Sequence, residues 1–538
     1  MTNRLYYGDN LEVLRGEIAD ASVDLVYLDP PFNSNASYNI LFKSQSGGGA
    51  DASIEAFDDT WQWGPAASTA LIEITQSGNH KLHTLMQAMK TAIGENAMMA
   101  YLAMMAVRLV ELHRVLKPTG SLYLHCDPTA SHYLKLVLDA VFGVENFRNE
   151  IVWERTNSHN MKTLGWTRSN DVIFFYTKSA QYTFNMQYKE YGPEQLKRFR
   201  PDEDGRLYKA ENMTFSSANP SRQFEWRGTK PPENRSWGAS LEQLEKWWAE
   251  GRILTRRDGS PRMDGLKIYL DETKGKPIGT NWTDIQRVGN TSGERLGYPT
   301  QKPLTLLERI ISASSNPGDV VLDPFCGCGT AVDAAQKLGR RWIGIDVTHL
   351  AIGLVEKRLR EGYGDAARFE TIGVPKDKDS ALRLAAEKPH EFQNWFCLHV
   401  GGYPLDGGRK GADKGIDGHF YPYETASTTA TGVISVKAGQ NIGVAMIRDL
   451  RGVMERDGYQ YGLFLSAYEP TRAMQAEAAA AGVHETQFGA FPRIQILTPA
   501  DIFHGPGAKL PPLAPINRRA ARVETRASHK PGAQGSLL

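Results

Sequence analysis

Val320-Val321-Leu322-Asp323-Pro324-Phe325-Cys326-Gly327-Cys328-Gly329-Thr330 is an apolar run that ends in an acid and a turn rich in small residues. The apolar run predicts a buried strand, and the glycines predict a tight turn that opens a helix. A second apolar run, residues 23–28, leads into Asp29-Pro30-Pro31-Phe32. Because ligands bind at the carboxyl ends of strands in open α/β sheets, both motifs are predicted to lie at a ligand-binding edge.

The segments around these motifs alternate between strand and helix patterns. The sequence predicts strands near residues 5–9, 23–28, 121–125, 170–177, 320–322 and 342–345, and helices near residues 10–16, 97–116 and 131–142. This alternation is typical of an α/β protein with a doubly wound sheet.

Between about residues 153 and 297 the alternation fades, and basic residues are interleaved with aromatic ones. Such a mixture suits contact with phosphates and stacking on bases. The alternative is a solvated insertion whose tryptophans form its own small core. The residues on which the two interpretations differ are Arg222, Trp226, Arg227, Lys230, Arg235, Trp237, Arg256 and Arg257.

The composition limits the class of protein. A chain of 538 residues should form two or three domains, and 41% hydrophobic residues are enough for packed cores. No apolar stretch approaches the ~20 residues that span a membrane, and the polar N-terminus does not resemble a signal peptide. Four cysteines without a framework spacing indicate a reducing compartment, so we expect a cytoplasmic protein. The formal net charge of +1 means that any attraction to nucleic acid must be local.

The residues of the second motif suit an exocyclic amine on a planar ring. Such an amine is a poor nucleophile because its lone pair is delocalised into the ring. The Asp29 carboxylate and the Pro30 carbonyl oxygen can each accept one N–H, which draws the nitrogen toward tetrahedral geometry and positions it. Phe32 offers a stacking face for such a ring.

The glycine turn suits a nucleoside-like ligand. Gly327 and Gly329 let a ligand approach the backbone, and Asp346, after the next predicted strand, can accept hydrogen bonds from ribose hydroxyls. The spacing of the glycines departs from the dinucleotide fingerprint, which disfavours a pyrophosphate ligand. Cys326 and Cys328 have no further Cys or His partners in sequence, which disfavours a zinc site.

Taken together, the motifs resemble those of the β-class amino-methylating DNA methyltransferases, including type III modification subunits, over roughly residues 1–369. The resemblance extends to residues 57–61 and 122–128. It implies a Rossmann-like fold for S-adenosylmethionine (SAM)-dependent methyl transfer, with a target-recognition region inserted at about residues 153–297. It also implies SAM as cofactor, double-stranded DNA as partner and base flipping. Aspartate followed by two prolines and an aromatic residue favours adenine N6 over cytosine N4, which remains the alternative.

The resemblance assigns roles residue by residue. The catalytic residues it implies are Asp29, Pro30, Pro31 and Phe32. The cofactor-binding residues it implies are Thr300, Gln301, Lys302, Pro303, Asp323, Pro324, Phe325, Gly327, Gly329, Thr330 and Asp346.

The C-terminal region carries a second candidate site. Asp417 and Lys437 are predicted on neighbouring strands of a hairpin, where a carboxylate could hold Mg²⁺ and a lysine could stabilise charge on a phosphate. Glu391, on a preceding helix, could add a second carboxylate. The region from about residue 389 to 503 resembles Mrr-like restriction endonucleases of the PD-(D/E)xK type. Ser435 stands where that family usually has Glu, Asp or Gln, so a nuclease and a degenerate fold kept for DNA binding or assembly both remain open.

These patterns predict a methyltransferase domain over residues 1–370, a linker over residues 371–388, a smaller α/β endonuclease-like domain over residues 389–504 and a disordered basic tail over residues 505–538. A homodimer and a separate restriction or helicase subunit are left open as partners, and no membrane partner is expected.

Overall fold

The computed structural model describes residues 2–31, 37–42, 52–58, 63–156, 165–167, 169–217, 219–289, 292, 294, 296, 298, 301–404, 416–426, 428–513 and 518–523. Two compact units are present, one of Met1–Asn185 with Thr280–Leu538 and one of Met186–Gly279. Two predicted site residues, Phe32 and Thr300, lie outside the described residues.

The strands, in chain order, are β1 (Asn3–Tyr7), β2 (Val23–Leu28), β3 (Ser37–Phe42), β4 (Ala52–Asp58), β5 (Leu116–Cys126), β6 (Phe147–Glu154), β7 (Asn170–Thr177), β8 (Tyr188–Lys189), β9 (Arg200–Pro201), β10 (Leu207–Glu211), β11 (Thr214–Phe215), β12 (Ser236–Trp237), β13 (Ile253–Thr255), β14 (Pro261–Tyr269), β15 (Lys276–Pro277), β16 (Asn281–Trp282), β17 (Val320–Asp323), β18 (Arg341–Asp346), β19 (Phe369–Ile372), β20 (Tyr403–Pro404), β21 (Gly418–Phe420), β22 (Gly432–Lys437), β23 (Tyr461–Ser466), β24 (Val483–Thr486), β25 (Gly489–Pro492), β26 (Ile494–Leu497) and β27 (Arg518–Val523).

The α-helices are α1 (Asn10–Glu17), α2 (Pro65–Gln76), α3 (His80–Ile93), α4 (Ala97–Val115), α5 (Ser131–Phe142), α6 (Pro193–Leu196), α7 (Leu241–Ala249), α8 (Leu304–Ser314), α9 (Thr330–Lys337), α10 (His349–Tyr363), α11 (Lys378–Glu387), α12 (Pro389–His399), α13 (Val444–Asp457), α14 (Arg472–Ala479) and α15 (Pro499–Phe503). Short 3₁₀ turns cover Val144–Asn146, Pro220–Arg222, Leu270–Glu272 and Gly364–Ala366.

The largest sheet has the order β16-β6-β7-β5-β2-β17-β18-β1-β19, and β7 alone runs antiparallel to its neighbours. The other strands therefore present their carboxyl ends at one edge, which we call the carboxyl edge. β2 and β17 are adjacent through the register Val321–Leu25 and Leu322–Val26. The two sequence motifs thus meet at this edge, and the prediction of a doubly wound α/β fold is confirmed.

Helix α4 shows how the sequence fills one face of this sheet. Asn96 caps its first turn by accepting a hydrogen bond from the Met99 backbone N–H. Eleven of its residues are buried, so the helix is apolar around most of its circumference, as expected of a helix covered on several sides. In the described part of the chain, no helix combines the length and apolarity needed to span a membrane.

The unit Met186–Gly279 has a small mixed core of its own, built on the sheet β13-β14-β10-β9 and on helix α7. Trp226 and Trp237 are buried in this core with their rings edge to face. For these two tryptophans the interpretation as a structural core is correct, and stacking on bases is excluded. This unit contains fewer residues than the insertion predicted at residues 153–297, because β6, β7 and β16 belong to the nine-stranded sheet.

The C-terminal region folds around the sheet β20-β21-β22-β23-β26. The predicted linker at residues 371–388 contains helix α11, and Ala381 and Ala385 of this helix are buried in the same core as Phe392 and Phe396 of α12. The alanine-rich composition therefore reflects close helix packing and not a flexible connection. Within the tail predicted to be disordered, Arg518–Val523 pairs with β3 as a strand, while residues 514–517 and 524–538 lie outside the described residues.

Candidate functional site

Asp29 follows directly on β2 and meets a lysine that is distant in sequence. The Lys302 ammonium donates a hydrogen bond to Asp29 Oδ2, and Lys302 is only 7% exposed. Asp29 Oδ1 is buried and has no hydrogen-bond partner among the described residues. Pro30 is buried and Pro31 half-buried, while Phe32 lies outside the described residues. One carboxylate oxygen is therefore fixed, and the other is an acceptor without a donor, which buried polar atoms rarely tolerate.

The other residues of the motif around Lys302 support its position. The Gln301 amide donates to the backbone oxygen of Glu294 at 2.7 Å, which braces the preceding segment. Pro303 is the residue before the first turn of α8. Thr300 lies outside the described residues. In this arrangement Lys302 contacts the predicted catalytic aspartate, although the sequence assigned it to the cofactor.

A buried polar network crosses three strands beneath Asp29. The Tyr27 hydroxyl lies 3.0 Å from His125 Nδ1, and His125 Nε2 lies 3.2 Å from Asp171 Oδ2. All three side chains are at most 2% exposed. Burial alone would raise the pKa of Asp171, but the hydrogen bond from His125 holds that pKa below its ordinary value. Burial raises the pKa of Tyr27 well above its ordinary value, so this hydroxyl stays protonated.

The glycine turn after β17 is held by backbone and carboxylate contacts. Asp323 Oδ1 accepts the Phe325 N–H at 3.1 Å, and Asp346 Oδ2 accepts the Gly327 N–H at 2.9 Å. Gly327 and Gly329 have φ values of +48° and +75°, which non-glycine residues rarely adopt. The predicted turn is therefore fastened to the ends of β17 and β18.

The turn also leaves no room for larger residues. A Cβ atom at Gly327 would lie 3.0 Å from the Tyr298 ring, and a Cβ atom at Gly329 would lie 2.7 Å from the Val355 side chain. Thr330 then begins α9. The two glycines are thus required by backbone conformation and by close packing.

Residues at the end of β1 complete the turn, and sequence reasoning missed them. The Asn10 amide donates to the Pro324 carbonyl oxygen at 2.7 Å. Arg108 of α4 donates to Asn10 Oδ1 at 2.5 Å and pairs with Asp9 Oδ2 at 2.8 Å. The available signal was that Asp9 stands at the end of a predicted strand, as Asp29 and Asp323 do.

The electrostatics of this edge are dominated by carboxylates. Burial raises the pKa of Asp323 well above its ordinary value, and the neighbouring charges of Asp29 and Asp346 act in the same direction. Burial also raises the pKa of Asp346. Lys302 is the cation that opposes these charges at Asp323. A cation bound near these carboxyl groups would favour their ionised forms and oppose the effect of burial on both pKa values.

Cys326 and Cys328 are buried thiols within the turn. Burial raises the pKa of both, which disfavours the thiolate that a metal needs. The described residues include no group of three or more His, Cys, Asp or Glu side chains arranged to hold a metal ion.

The C-terminal candidate site centres on Asp417, next to β21. Its Oδ1 accepts from Gln393 Nε2 at 3.1 Å, and its Oδ2 accepts from the Val436 N–H at 2.6 Å. Lys437 Nζ lies 3.7 Å from Oδ2, and the Ser435 hydroxyl also bonds to this carboxylate. Burial raises the pKa of Asp417, with Lys437 acting against the shift. The predicted cluster of Asp417, Ser435 and Lys437 is therefore assembled.

An open cavity of about 490 Å³ adjoins this cluster. The side chains around it include Lys437 and Gln393, together with His390, Gln440 and Asn441. The lining is mixed, and the Lys437, Gln440 and Asn441 side chains could donate hydrogen bonds to a segment of a phosphodiester chain.

Glu391, the predicted second carboxylate, is placed elsewhere. Its Oε2 accepts the Tyr7 hydroxyl at 2.8 Å and its Oε1 pairs with Lys388 at 3.3 Å. Gln393, two residues later on α12, takes the position beside Asp417. A shift of two residues on a helix turns a side chain by about 200°, and this separates the two contacts. Burial and the hydrogen bond to Glu391 raise the pKa of Tyr7.

Comparisons with known proteins identify the family of the chain. A family model described as DNA methylase (N6 and N4) matches residues 23–357, and one described as restriction endonuclease matches residues 384–488. The type II methyltransferase M.EcaI of Enterobacter cloacae is 32% identical over 304 residues, 56% of this chain and 67% of its own. The Mod subunit of the type III enzyme StyLTI of Salmonella typhimurium is 24% identical over 353 residues, 62% of this chain and 50% of its own.

Among solved structures, TTHA0409 of Thermus thermophilus, in complex with SAM, is 18% identical with a TM-score of 0.33, covering 69% of this chain and 99% of its own. The model that matches residues 23–357 spans both sequence motifs and most of the nine-stranded sheet. The chain belongs to the N6/N4 DNA methylase family and carries a region of the restriction endonuclease family on its carboxyl side.

Proposed function

We propose that this chain is a SAM-dependent DNA methyltransferase that acts on the N6 amine of adenine in double-stranded DNA. The observation that carries the proposal concerns the Asp29 carboxylate: Oδ2 is held by Lys302, and the buried Oδ1 has no partner in the described part of the chain. An exocyclic amine supplies the donor that Oδ1 lacks. The preference for adenine rests on an aspartate at the first position of the motif, and cytosine N4 is the competing outcome of the test.

In the proposed reaction Asp29 Oδ1 accepts one N–H of the target amine and the Pro30 carbonyl oxygen accepts the other. The ion pair with Lys302 prevents the carboxylate from rotating, so the amine is held in one orientation. Phe32 stacks on the extruded base, because the amine cannot be reached while it is paired. When bound, SAM supplies a methyl group on a positively charged sulfur.

The cofactor site is proposed at the carboxyl edge, around the glycine turn. Asp29, Asp323 and Asp346 line this edge with carboxyl groups, and a positively charged sulfonium bound beside them would lower the pKa that burial raises at Asp323 and Asp346. Asp346 Oδ1 accepts from the Thr348 N–H and hydroxyl, whereas Oδ2 accepts from the Gly327 N–H and keeps a second lone pair that a ribose hydroxyl can use. Pro324, Phe325 and Thr330, with Thr300, Gln301 and Pro303, are proposed to complete the surroundings of the cofactor.

The unit Met186–Gly279 is proposed as the target-recognition region. Arg222, Arg227 and Arg235 are used internally, because their guanidinium groups bond to Gly238 O, Glu245 and Thr214. Lys230 and Arg257 are exposed and are proposed to contact the DNA backbone, with Arg256 beside them. These contacts would position the DNA without contributing to recognition of its base sequence.

The C-terminal region is proposed as a Mg²⁺-dependent nuclease of low activity. Asp417 is the proposed metal ligand and Lys437 the cation near the scissile phosphate. The Gln393 amide can turn its oxygen toward a metal, because an amide carries a donor and an acceptor on one axis. A DNA-binding scaffold without cleavage remains the second candidate, favoured by the single carboxylate in this cluster.

The deciding experiment is methylation mapping by single-molecule sequencing of DNA from cells that express the protein, beside cells that express Asp29→Ala. Modified adenines at one sequence motif, absent from the variant, are the expected result. Modified cytosines at that motif would mean that the target base is cytosine and not adenine. Unmodified DNA, together with a lack of methyl incorporation from labelled SAM by the purified protein, would overturn the proposal.

A further inference from the structure

Arg358 of helix α10 bonds directly to the glycine turn. Its Nη1 donates to the Cys328 carbonyl oxygen and to the Thr330 hydroxyl, both at 3.3 Å. The Arg358 side chain is only 9% exposed, and Cys328 and Thr330 are buried. A guanidinium group directs its N–H donors in fixed directions within one plane, so the carbonyl that it holds is fixed in direction too.

The guanidinium is itself held in place by Asp333, in the first turn of α9. Arg358 Nε donates to Asp333 Oδ2 at 2.6 Å, and the Tyr363 hydroxyl donates to Asp333 Oδ1 at 2.5 Å. Burial and the hydrogen bond to Asp333 raise the pKa of Tyr363, so this hydroxyl stays protonated and remains a donor. Negative charge is favourable in the first turn of a helix, which suits Asp333 to this position.

One continuous segment, β18 followed by α10, contacts the turn at several points. Asp346, the last residue of β18, accepts the Gly327 N–H at 2.9 Å. Arg358 holds a carbonyl oxygen of the same turn. Val355, three residues before Arg358, packs so closely that a Cβ atom at Gly329 would lie 2.7 Å from its side chain. The conformation of the turn is therefore set largely by residues outside the turn.

Stability alone gives a weak reason for the ion pair of Arg358 with Asp333. Two buried charges of this kind contribute little compared with apolar residues of similar volume, because removing them from water is costly. An arginine adds a rigid, planar set of donors, which apolar residues lack. The arrangement therefore indicates a requirement for precise geometry at the turn.

We propose that Arg358 is a positioning residue for SAM, which holds the glycine turn in the shape that receives the cofactor. Asp333 and Tyr363 fix the guanidinium, and the turn transmits this constraint to the bound cofactor. The effect of Arg358 should therefore appear in the binding of SAM and not in the methyl-transfer step. The inference rests on the proposed cofactor site and assigns a role to a residue outside the sequence motifs.

The test uses the full chain and three variants. Arg358→Met alone would leave the buried Asp333 charge uncompensated, so it is combined with Asp333→Leu in a paired variant that removes both charges. Arg358→Lys keeps the charge and loses the planar set of donors. The matched control is Arg360→Met, on the same helix, where the arginine side chain is 72% exposed.

Calorimetry with SAM gives the dissociation constant and the stoichiometry of each variant. The paired variant should bind SAM about 10- to 100-fold more weakly at unchanged stoichiometry, the scale of losing a hydrogen bond from a charged donor. Arg358→Lys should bind it about three- to tenfold more weakly, because an ammonium does not reproduce the planar donors. Arg360→Met should equal the parent protein.

Two further measurements distinguish positioning of the cofactor from a general role in folding. At saturating SAM, kcat on DNA that carries the mapped sequence should stay within about threefold of the parent for the paired variant and for Arg358→Lys. The Tm of the paired variant without SAM should lie close to that of the parent, because both charges are removed together.

Parent-like SAM affinity in the paired variant would overturn the proposal. A reduced stoichiometry with an unchanged dissociation constant would also overturn it, because it would report misfolded protein. A loss of kcat with SAM affinity preserved would do the same.

Asp346→Ala separates this inference from the proposed function. Weaker SAM binding by Asp346→Ala, together with parent-like affinity in the paired variant, would keep the proposed cofactor site and reject the role of Arg358. Unchanged affinity in both would place the cofactor elsewhere and reject both proposals.

Discussion

The methylase-family region and the restriction endonuclease-family region each place an aspartate beside a lysine. The two pairs differ in how many carboxylate oxygens already accept a hydrogen bond from the protein. Asp29 uses one oxygen for Lys302 and leaves the other without a partner among the described residues. Asp417 has both oxygens engaged, one by Gln393 and one by the Val436 N–H, with Lys437 at 3.7 Å.

This difference indicates how ready each site is for its ligand. A carboxylate with a free buried oxygen favours a ligand that brings an N–H donor, because leaving a buried acceptor unsatisfied is unfavourable. A carboxylate with both oxygens engaged can offer a metal ion only the lone pairs that its protein donors leave open. At the first site a buried oxygen awaits a donor, whereas at the second site a metal ion would share the carboxylate with Gln393 and the Val436 N–H.

The largest effect is expected from Asp29→Ala. Loss of the acceptor should reduce methyl incorporation about 1000-fold or more while leaving SAM affinity within about threefold, because the side chain contacts the target amine. Methyl incorporation and calorimetric SAM titration measure the two quantities. Asp365→Ala, an exposed aspartate near α10, is the matched control. Substantial turnover by Asp29→Ala would refute the assigned role.

Lys302→Met tests whether the lysine serves the aspartate or the cofactor. If it fixes Asp29, kcat should fall about 100-fold and SAM affinity should change little, since breaking a buried ion pair leaves a charge uncompensated. Lys302→Arg should retain more activity because the charge is kept. A drop in SAM affinity with kcat preserved would return Lys302 to the cofactor site predicted from sequence.

Substitutions in the glycine turn test the cofactor site apart from the amine site. Asp346→Ala should weaken SAM binding by ~1–3 kcal/mol, the scale of losing hydrogen bonds to a charged acceptor. Gly327→Val should weaken it more, because a side chain would adopt a disfavoured φ and press on Tyr298. Calorimetry with SAM gives both values. Unchanged affinity in both variants would mean that the cofactor binds elsewhere.

Weak Mg²⁺-dependent nicking of plasmid DNA is expected from the C-terminal site. Lys437→Ala or EDTA should abolish it, and Ser435→Glu should raise it by adding a hard oxygen ligand. Gels of unmodified and self-methylated plasmid with Mg²⁺ or Mn²⁺ provide the measurement. Cleavage that survives EDTA or Lys437→Ala would exclude this cluster, and the absence of cleavage by the parent under all conditions would favour the scaffold.

The smallest effect concerns His349, whose ring stacks on Tyr7. Burial lowers the pKa of His349 from 6.5 to about 3. As the pH falls, the unfolded chain therefore takes up the proton at a higher pH than the folded chain does. The contribution of His349 to the free energy of unfolding is fully present above pH 6.5, and it decreases by up to about 1.4 kcal/mol per pH unit as the pH drops toward 3. His349→Phe should reduce the fall in Tm between pH 7 and pH 5 by a few degrees, measured by scanning fluorimetry. A variant with the parent's pH dependence would contradict this origin.

The sequence predicted those parts of the fold whose signals are local. The run at residues 23–28 and the helix at residues 131–142 carry their own apolar patterns, and both appear with those bounds. The contact of Lys302 with Asp29 joins residues 273 positions apart, and no local pattern encodes such a pairing.

Errors in the C-terminal region have a similar physical origin. Glu391 was chosen for its charge, whereas helix geometry decides which side chain faces Asp417, and that residue is Gln393. The alanines of α11 were taken as linker, because small residues indicate close packing only when the partner helix is known.

Helix α12 has a practical consequence for dissecting this chain. Glu391 on one side of the helix accepts from Tyr7, at the end of β1, and Gln393 on another side bonds to Asp417. A fragment that stops before residue 389 would leave the Tyr7 hydroxyl without its acceptor, Glu391. A fragment that starts there would present an unpaired Glu391 to solvent. The methylase-family region and the C-terminal region both use helix α12. Separate expression of the two regions would therefore yield two incomplete proteins in place of two independent enzymes.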